Sequence, residues 1–343
     1  MPVCKCYNAA SMTYDFVAIG DIVVDAFIEL NKDAADVSTD MDTGRMTLHM
    51  PFGSKLPYND VSVVAAVGNS PNAAVSAKRL GLRSALMSNV GTDRNGKDCL
   101  DALRREGIDT DLVKVHEGKK SNYHYVLQYG PERTILIKHE HYPYGLPALP
   151  SPPRYFYFSS IGEDSIAFHH EVAAFLAAHP ETKLAFQPGT FQIKLGTTEL
   201  KDLYAVTEIF FCNKEEAQEI LKTDTQDFAV LLKGMKALGP KIPVITDGPN
   251  GSYALDGDAV WYMPMYPDPA PPKDRTGAGD AFASTFTAAI ALGLDVKTAL
   301  AWGPINSMSV VQHVGAQAGL LSKAQLEEYL KNAPAAYAVK QIA

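Results

Sequence analysis

The sequence predicts an α/β fold, a doubly wound and mostly parallel sheet carrying a small β lid, and three observations lead there. The run Phe16-Val17-Ala18-Ile19-Gly20 is continuously apolar and ends in Gly20-Asp21, the pattern of a strand buried on both faces that delivers a loop to one edge of a parallel sheet. Apolar runs then alternate with helical stretches along most of the chain, as in a sheet covered on both sides. Two segments, residues 24–64 and 111–139, break that rhythm with alternating apolar and polar residues, which marks strands with one wet face.

Taken in order, residues 84–90 read as a strand and 94–106 as a helix. Within 111–139, the stretches 123–127 and 134–137 are strands split by the turn Gly130-Pro131-Glu132. A strand over 155–159 and a helix over 164–178 follow, and the aromatic run Tyr155 to Phe158 is strand core rather than a base-stacking platform. Residues 183–186, 208–212 and 243–246 are further strands, each followed by a helical or turn segment. Two long helices, 278–292 and 296–311, and a short one over 323–330 end the chain. The Pro-rich stretches 142–154 and 264–273 are ordered connectors, because periodic sequence resumes at once on both sides. Residues 1–343 are therefore expected to form a single domain, with the hairpins of 24–64 and 111–139 as its lid or a homodimer surface.

Composition narrows the function. The 343 residues are 46% hydrophobic and 20% charged, with 31 basic against 39 acidic side chains and a net charge of −8. No block of like charge offers the basic face that nucleic acid or anionic lipid requires, so neither is expected as a partner. Cys4, Cys6, Cys99 and Cys212 form neither a disulfide framework nor a zinc spacing, and a reducing cytoplasm is the expected compartment. The most apolar stretch, 281–294, is interrupted by Ser284, Thr285, Thr287 and Gly293, and falls short of the roughly 20 apolar residues of a membrane span. No Gly-x-Gly-x-x-Gly follows the first strand, which removes the usual dinucleotide oxidoreductase signal. A small-molecule enzyme remains.

The stretch that carries chemistry is Asp274-Arg275-Thr276-Gly277-Ala278-Gly279-Asp280-Ala281-Phe282. Small residues open a long helix, so a ligand can approach the unpaired amides and the positive end of the dipole, which together make an anion cradle. Asp280 beside it reads in two ways: a cap for the helix, or an acceptor for the proton of a hydroxyl attacking phosphorus.

This stretch resembles the C-terminal signature of the ribokinase-like (PfkB) sugar and nucleoside kinases. Val67-Gly68-Asn69-Ser70-Pro71-Asn72-Ala73-Ala74 with Ala77-Lys78-Arg79-Leu80-Gly81 is similar to the family's N-terminal signature, and Val90 to Gly96 follows it. The resemblance implies a ribokinase-like fold and an ATP-dependent phosphotransferase acting on a sugar hydroxyl. It implies Asp280 as general base and Gly277, Ala278 and Gly279 as the anion hole. Asn213-Lys214-Glu215-Glu216 resembles the family's Asn-x-x-Glu motif, which implies Asn213 on the triphosphate side and Glu216 toward Mg2+ through water; read bare, Asn213 is a helix cap. Thr246, Gly248 and Gly251 fall on the family's ATP-binding turn, and read bare they form a hairpin turn. Asp25 falls where the family holds acceptor hydroxyls, although alone it is an ordinary strand-end residue. Gly68, Asn69 and Asn72 belong to the same acceptor side.

Departures from the family pattern leave the acceptor open. Val67-Gly68 replaces a Gly-Gly pair, Pro304 aligns with an adenine-side Asn while Asn306 lies two places later, and Arg275 replaces a small polar residue, facing either phosphate or solvent. K+ held by carbonyls near Asp274, Thr276 and the 310–315 turn is a further implication. Neither His139-Glu140-His141 nor His169-His170 has the further ligands of a transition-metal site. The alternatives to a sugar kinase are a nucleoside kinase of the adenosine, cytidine or inosine type and, remotely, a non-catalytic ligand-binding relative.

Overall fold

Side chains alternate across a strand, and this alternation explains the continuous apolar run at residues 16–19. In the computed structural model, which describes residues 14–41, 44–130 and 132–343, Phe16 and Ala18 point into one hydrophobic core while Val17 and Ile19 point into a second on the opposite face. The strand Phe16–Ile19 lies inside a ten-stranded sheet. It pairs in parallel with Ser84–Gly91 on one side and Tyr155–Phe158 on the other. Lys183–Phe186, Thr207–Asn213 and Ile242–Thr246 extend the parallel array, and Ser252–Asp256, Ala259–Met263 and Lys340–Gln341 finish it antiparallel.

The helices Asn69–Arg79, Ala278–Ala291 and Val296–Val311 contribute to the first core, and Ile166–Ala178 and Phe228–Ala237 to the second. The doubly wound expectation holds in this arrangement. From Phe16–Ile19 the chain first builds the Ser84–Gly91 side and later returns to the Tyr155–Phe158 side, so the connections diverge at the strand ends and leave a crevice there.

The lid stands over that crevice. Its four strands run in the order Tyr58–Val67, Val23–Leu30, Asn122–Tyr129 and Glu132–Leu136. Val23–Leu30 pairs antiparallel with Tyr58–Val67 but parallel with Asn122–Tyr129, so the two expected hairpins fuse into one sheet. The expected lid range 111–139 is too broad at its start. Val113–His116 pairs in parallel with Ser84–Gly91 at the edge of the main sheet, where both its end residues are buried and its middle two exposed. Within 24–64 a separate two-stranded piece, Asp36–Thr39 with Met46–His49, stands outside the lid sheet.

Candidate active site

The loop before Ala278–Ala291 is built around glycine for two different reasons. Gly277 has φ +81°, and a Cβ there would sit 2.3 Å from the Ala316 Cβ, so both backbone and space exclude a side chain. A Cβ at Gly279 would meet nothing within 4 Å, because that position opens onto the cleft. The first bond of the helix runs from the Ala281 amide to the Gly277 carbonyl at 2.8 Å, which leaves the amides of residues 278–280 without helical partners.

Asp280 stands in this first turn but does not cap it. Its Oδ1 accepts from Asn69 Nδ2 at 2.8 Å and Gln187 Nε2 at 3.2 Å, and its Oδ2 accepts from Asn72 Nδ2 at 2.9 Å. Burial raises the Asp280 pKa above the ordinary aspartate value, and the amides of Asn72, Gln187 and Asn69 with the charge of Arg133 offset part of that rise. The amides are themselves aimed. Tyr157 donates its hydroxyl to Gln187 Oε1, and Gln317 Nε2 donates to Asn72 Oδ1 at 3.0 Å and to the Ala66 carbonyl at 2.7 Å. Asn69 and Asn72, expected on the acceptor side, thus both turn toward Asp280, and Asn72 is buried behind it. Gln187 and Gln317 escaped the sequence reading. The one signal for Gln187 was its place directly after the buried strand Lys183–Phe186, at the end where sheet ligands gather.

Beside the cradle lies a cavity of about 310 Å3 whose lining includes Thr246, Gly248, Gly251, Phe282, Pro304 and Met308. All three residues expected on the ATP turn therefore face one space. At Gly251 a Cβ would stand 2.4 Å from the Met263 carbonyl oxygen. Pro304 reaches the cavity, whereas Asn306 is tied inside the core, donating to Thr285 Oγ1 at 2.7 Å and accepting from the Leu321 amide at 2.9 Å. Arg275 is exposed at the rim of this cavity with Asp268.

An adjoining space of about 300 Å3 shares Thr246 and Gly279 and brings in Asn69, Gln187, Asn213 and Glu216. Asn213 Oδ1 accepts from the Glu216 amide and Glu216 Oε2 from the Asn213 amide, both at 2.8 Å, a reciprocal capping box. The cap leaves one polar atom of each side chain unspent beside the cavity. Burial raises the Glu216 pKa.

On the lid, Asp25 is buried with His124 Nδ1 3.4 Å from its Oδ1. Gly68 has φ +115°, and a Cβ there would lie 2.9 Å from the Asp21 carbonyl oxygen. Val67 pairs across strands with Val23, and both are buried. Asp21 carries no role in the sequence reading, yet it anchors the segment that returns from the lid: its carboxylate meets His139 Nδ1 at 2.8 Å, the Tyr144 hydroxyl at 3.1 Å and the Gly162 amide at 2.9 Å. The histidine runs serve separate neighbours. His141 contacts Asp164, and His169 bonds the Ser165 carbonyl and Gln192. Asp274 accepts from the Thr276 amide and hydroxyl and from the Gly315 amide, drawing those loops together. Cys99 and Cys212 are free and buried, while Cys4 and Cys6 lie outside the described residues.

With this geometry in hand, residues 49–324 match the pfkB family carbohydrate kinases. The chain belongs to that family and is a sugar or nucleoside kinase. It is 27% identical over 271 residues to the ribokinase of Bacillus subtilis, covering 77% of this chain and 87% of that protein. It is 24% identical over 266 residues to a nucleoside kinase of Methanothermobacter thermautotrophicus, covering 74% and 80%. A structure described as a putative Ribokinase II of E. coli in complex with ATP and Mg2+ superposes with a TM-score of 0.71 at 17% identity, covering 93% of this chain and 99% of that one. Among the described residues, no helix is long and apolar enough to cross a membrane.

Proposed function

We propose that this chain is an ATP-dependent phosphotransferase that adds phosphate to a hydroxyl of a sugar or sugar-like acceptor, with Asp280 as general base and the amides of Gly277, Ala278 and Gly279 as anion hole. The observation that carries this reading is the Asp280 carboxylate, which stands in a glycine-opened helix turn yet is held by Asn69, Asn72 and Gln187 instead of the helix. A carboxylate so held takes the proton of the acceptor hydroxyl as the oxygen attacks the terminal phosphorus. The bond from that phosphorus to the bridging oxygen breaks, ADP leaves, and the amides receive the charge of the transferring group.

Asp25, with His124 beside it, orients neighbouring hydroxyls of the acceptor, and Gly68 keeps the backbone close to the first loop. Asn69 borders the reacting space, and Asn72 acts from behind Asp280. Thr246, Gly248 and Gly251 receive the nucleoside end of ATP, and Asn213 faces its phosphates. Glu216 fits Mg2+ reached through water, because it is a half-buried carboxylate with one oxygen outside the cap and its burial cost falls beside a cation. When bound, Mg2+ supplies charge neutralisation of the terminal phosphates. K+ would lie among the carbonyls of the loops that Asp274 ties together. The free, buried Cys99 and Cys212 suit a reducing cytoplasm. The outer face of the lid is apolar and exposed, which supports a homodimer through it.

A nucleoside acceptor is the second reading. The rings of His124 and His139, 5.2 Å apart, and of Phe191, 6.0 Å from His139, gather near Asp25 and offer a wall for a base. Labelled ATP offered with pentoses, hexoses, sugar phosphates and nucleosides tests both. Transfer to a sugar is expected, transfer to nucleosides alone selects the second reading, and no transfer to any member of the panel sinks the catalytic one.

A further inference from the structure

An amide side chain can offer a carboxyl group either its NH2 end or its oxygen, and the two ends act with opposite sign. The NH2 end favours the ionised carboxylate, whereas the oxygen suits only the protonated acid. Asn72 offers Nδ2 to Asp280 Oδ2 at 2.9 Å. Its Oδ1 accepts from Gln317 Nε2 at 3.0 Å, and that same Nε2 donates to the Ala66 carbonyl at 2.7 Å. A main-chain carbonyl can only accept. Ala66 therefore decides which end of Gln317 points inward, and Gln317 decides which end of Asn72 is left for Asp280. The anchoring carbonyl has an uncommon setting: Ala66 lies in the bulge between the pairs Val23 with Val67 and Asp25 with Val64, and its φ of +62° is a left-handed conformation that a residue with a Cβ seldom takes. Arg79 fixes the other end of Gln317. Its Nη1 donates to the main-chain carbonyls of Gln317 at 2.8 Å and Leu320 at 2.9 Å, while Nε and Nη2 hold Glu106 at 3.1 and 2.8 Å. Gln317 is thus held at its root and at its tip, with the buried Asn72 between it and the base.

We propose that Gln317 is a positioning residue that locks the Asn72 amide with its N–H donors toward Asp280, keeping that carboxylate ready to accept a proton. Without the lock, a protonated Asp280 turns Asn72 round and donates to its oxygen, so the acid gains the partner that the carboxylate loses. A base needs the ionised form when the acceptor arrives. Burial already works against that form at Asp280, and the amide donors are what oppose it. Arg133 from the lid and Tyr157 from Tyr155–Phe158 also act on the charge of Asp280, and neither hydrogen-bonds to Gln317 or Asn72 among the described residues. The role in turnover rests on the kinase reading of Asp280, whereas the lock is a property of the free protein.

Isotope-edited NMR of the aspartate carboxyl carbons in the full chain, without nucleotide, tests the lock with no knowledge of the acceptor. The Asp280 signal is the one absent from Asp280→Asn. Gln317→Met keeps the length of the side chain but has no N–H, and it should move the Asp280 titration midpoint upward by about one to two pH units, the worth of a charge-assisted hydrogen bond. Placed on Asn72→Ala, which has no amide to turn, the same change should move the midpoint by less than about half a unit, because the coupling runs through that amide. A merely structural role for Gln317 would shift both backgrounds alike. Gln317→Lys, whose side chain only donates, guards against a Met variant that fails to fold, and its midpoint should stand at or below that of the unmodified protein. A shift in Gln317→Met below about half a unit, an equal shift with and without the Asn72 amide, or an upward shift in Gln317→Lys overturns the assignment. Failure of the kinase reading shows separately, as no transfer to any member of the acceptor panel, and leaves these titrations as they are.

Discussion

At the scale of the residue, Asp280 carries the proposed chemistry, and the two readings of it separate by experiment. Asp280→Asn keeps the size of the side chain and an oxygen for Asn69 and Gln187, which both donate to Oδ1. The Asn72 amide, which donates to Oδ2, then meets an NH2 group, so the fold should survive with a loss of about 1–3 kcal/mol, the cost of a buried donor left unsatisfied. As the base, the amide cannot accept the hydroxyl proton, and turnover should drop by roughly 10²–10⁴. Melting temperature and phosphotransfer rate on one preparation settle it, and more than about a tenth of the activity remaining contradicts the assignment. The pH dependence has a definite sign. Burial raises the Asp280 pKa, so the folded protein binds that proton more readily than the unfolded chain, and holding the carboxylate ionised costs stability above the raised pKa but not below the ordinary one. Activity should accordingly fall on the acid side at a pH above the ordinary aspartate range. The Gly-Ala-Gly-Asp run is legible in the sequence because its parts are adjacent. Its partners Asn69, Asn72 and Gln187 come from two distant segments, with Gln317 behind Asn72 from a third, and a lone Gln after a strand carries no local signal.

At the scale of the element, two short units carry the proposed ligand contacts. The turn from Thr207–Asn213 into the helix Lys214–Leu221 is both a capping box and a wall of the cavity, so the cap does not oppose the proposed ligand role of Asn213. Glu216→Gln retains the reciprocal cap, because Gln serves that position as well as Glu, and it removes a half-buried charge. Melting temperature should therefore hold while the magnesium requirement for turnover rises; an unchanged magnesium titration would leave Glu216 a cap alone. The strand Val23–Leu30 leaves the crevice and carries Asp25 into the lid. Asp25→Ala should weaken acceptor binding by roughly ten- to a hundredfold, the value of a charged hydrogen bond to a hydroxyl, with ATP affinity unchanged. Calorimetry that finds the acceptor undisturbed removes Asp25 from the site. The buried strands were readable from sequence because an apolar run such as Lys183–Phe186 has few other uses. Val113–His116 was not, since an edge strand with two exposed residues looks like one with a wet face. Ala259–Met263 and Lys340–Gln341 join the sheet antiparallel, outside the alternation of strand and helix that guided the reading.

At the scale of the molecule, the lid has two faces with different destinations. Asp25, His124 and Arg133 share the cleft side, and the register places Val61, Val63, Tyr125 and Leu136 together on the other. Those four residues lie on three strands and are 44, 59, 48 and 51% exposed, on a chain that otherwise carries a net charge of −8. An apolar sheet face is costly to leave in water. The proposed second copy would cover it by a two-fold axis, each lid meeting the same face of the other, which needs no complementary surface elsewhere. The unmodified protein should therefore sediment as a dimer at micromolar concentration. Val63→Asp combined with Leu136→Asp places like charges on both sides of that axis and should yield monomers. Because these side chains make little contact within one chain, far-ultraviolet circular dichroism should not change, so that loss of the dimer is distinguishable from loss of the fold. Turnover should fall with dissociation, through a raised acceptor KM, since Asp25 and His124 stand on the sheet that such a partner would brace. A monomeric unmodified protein, or a doubly charged variant that still sediments as a dimer, would refute the lid as the interface.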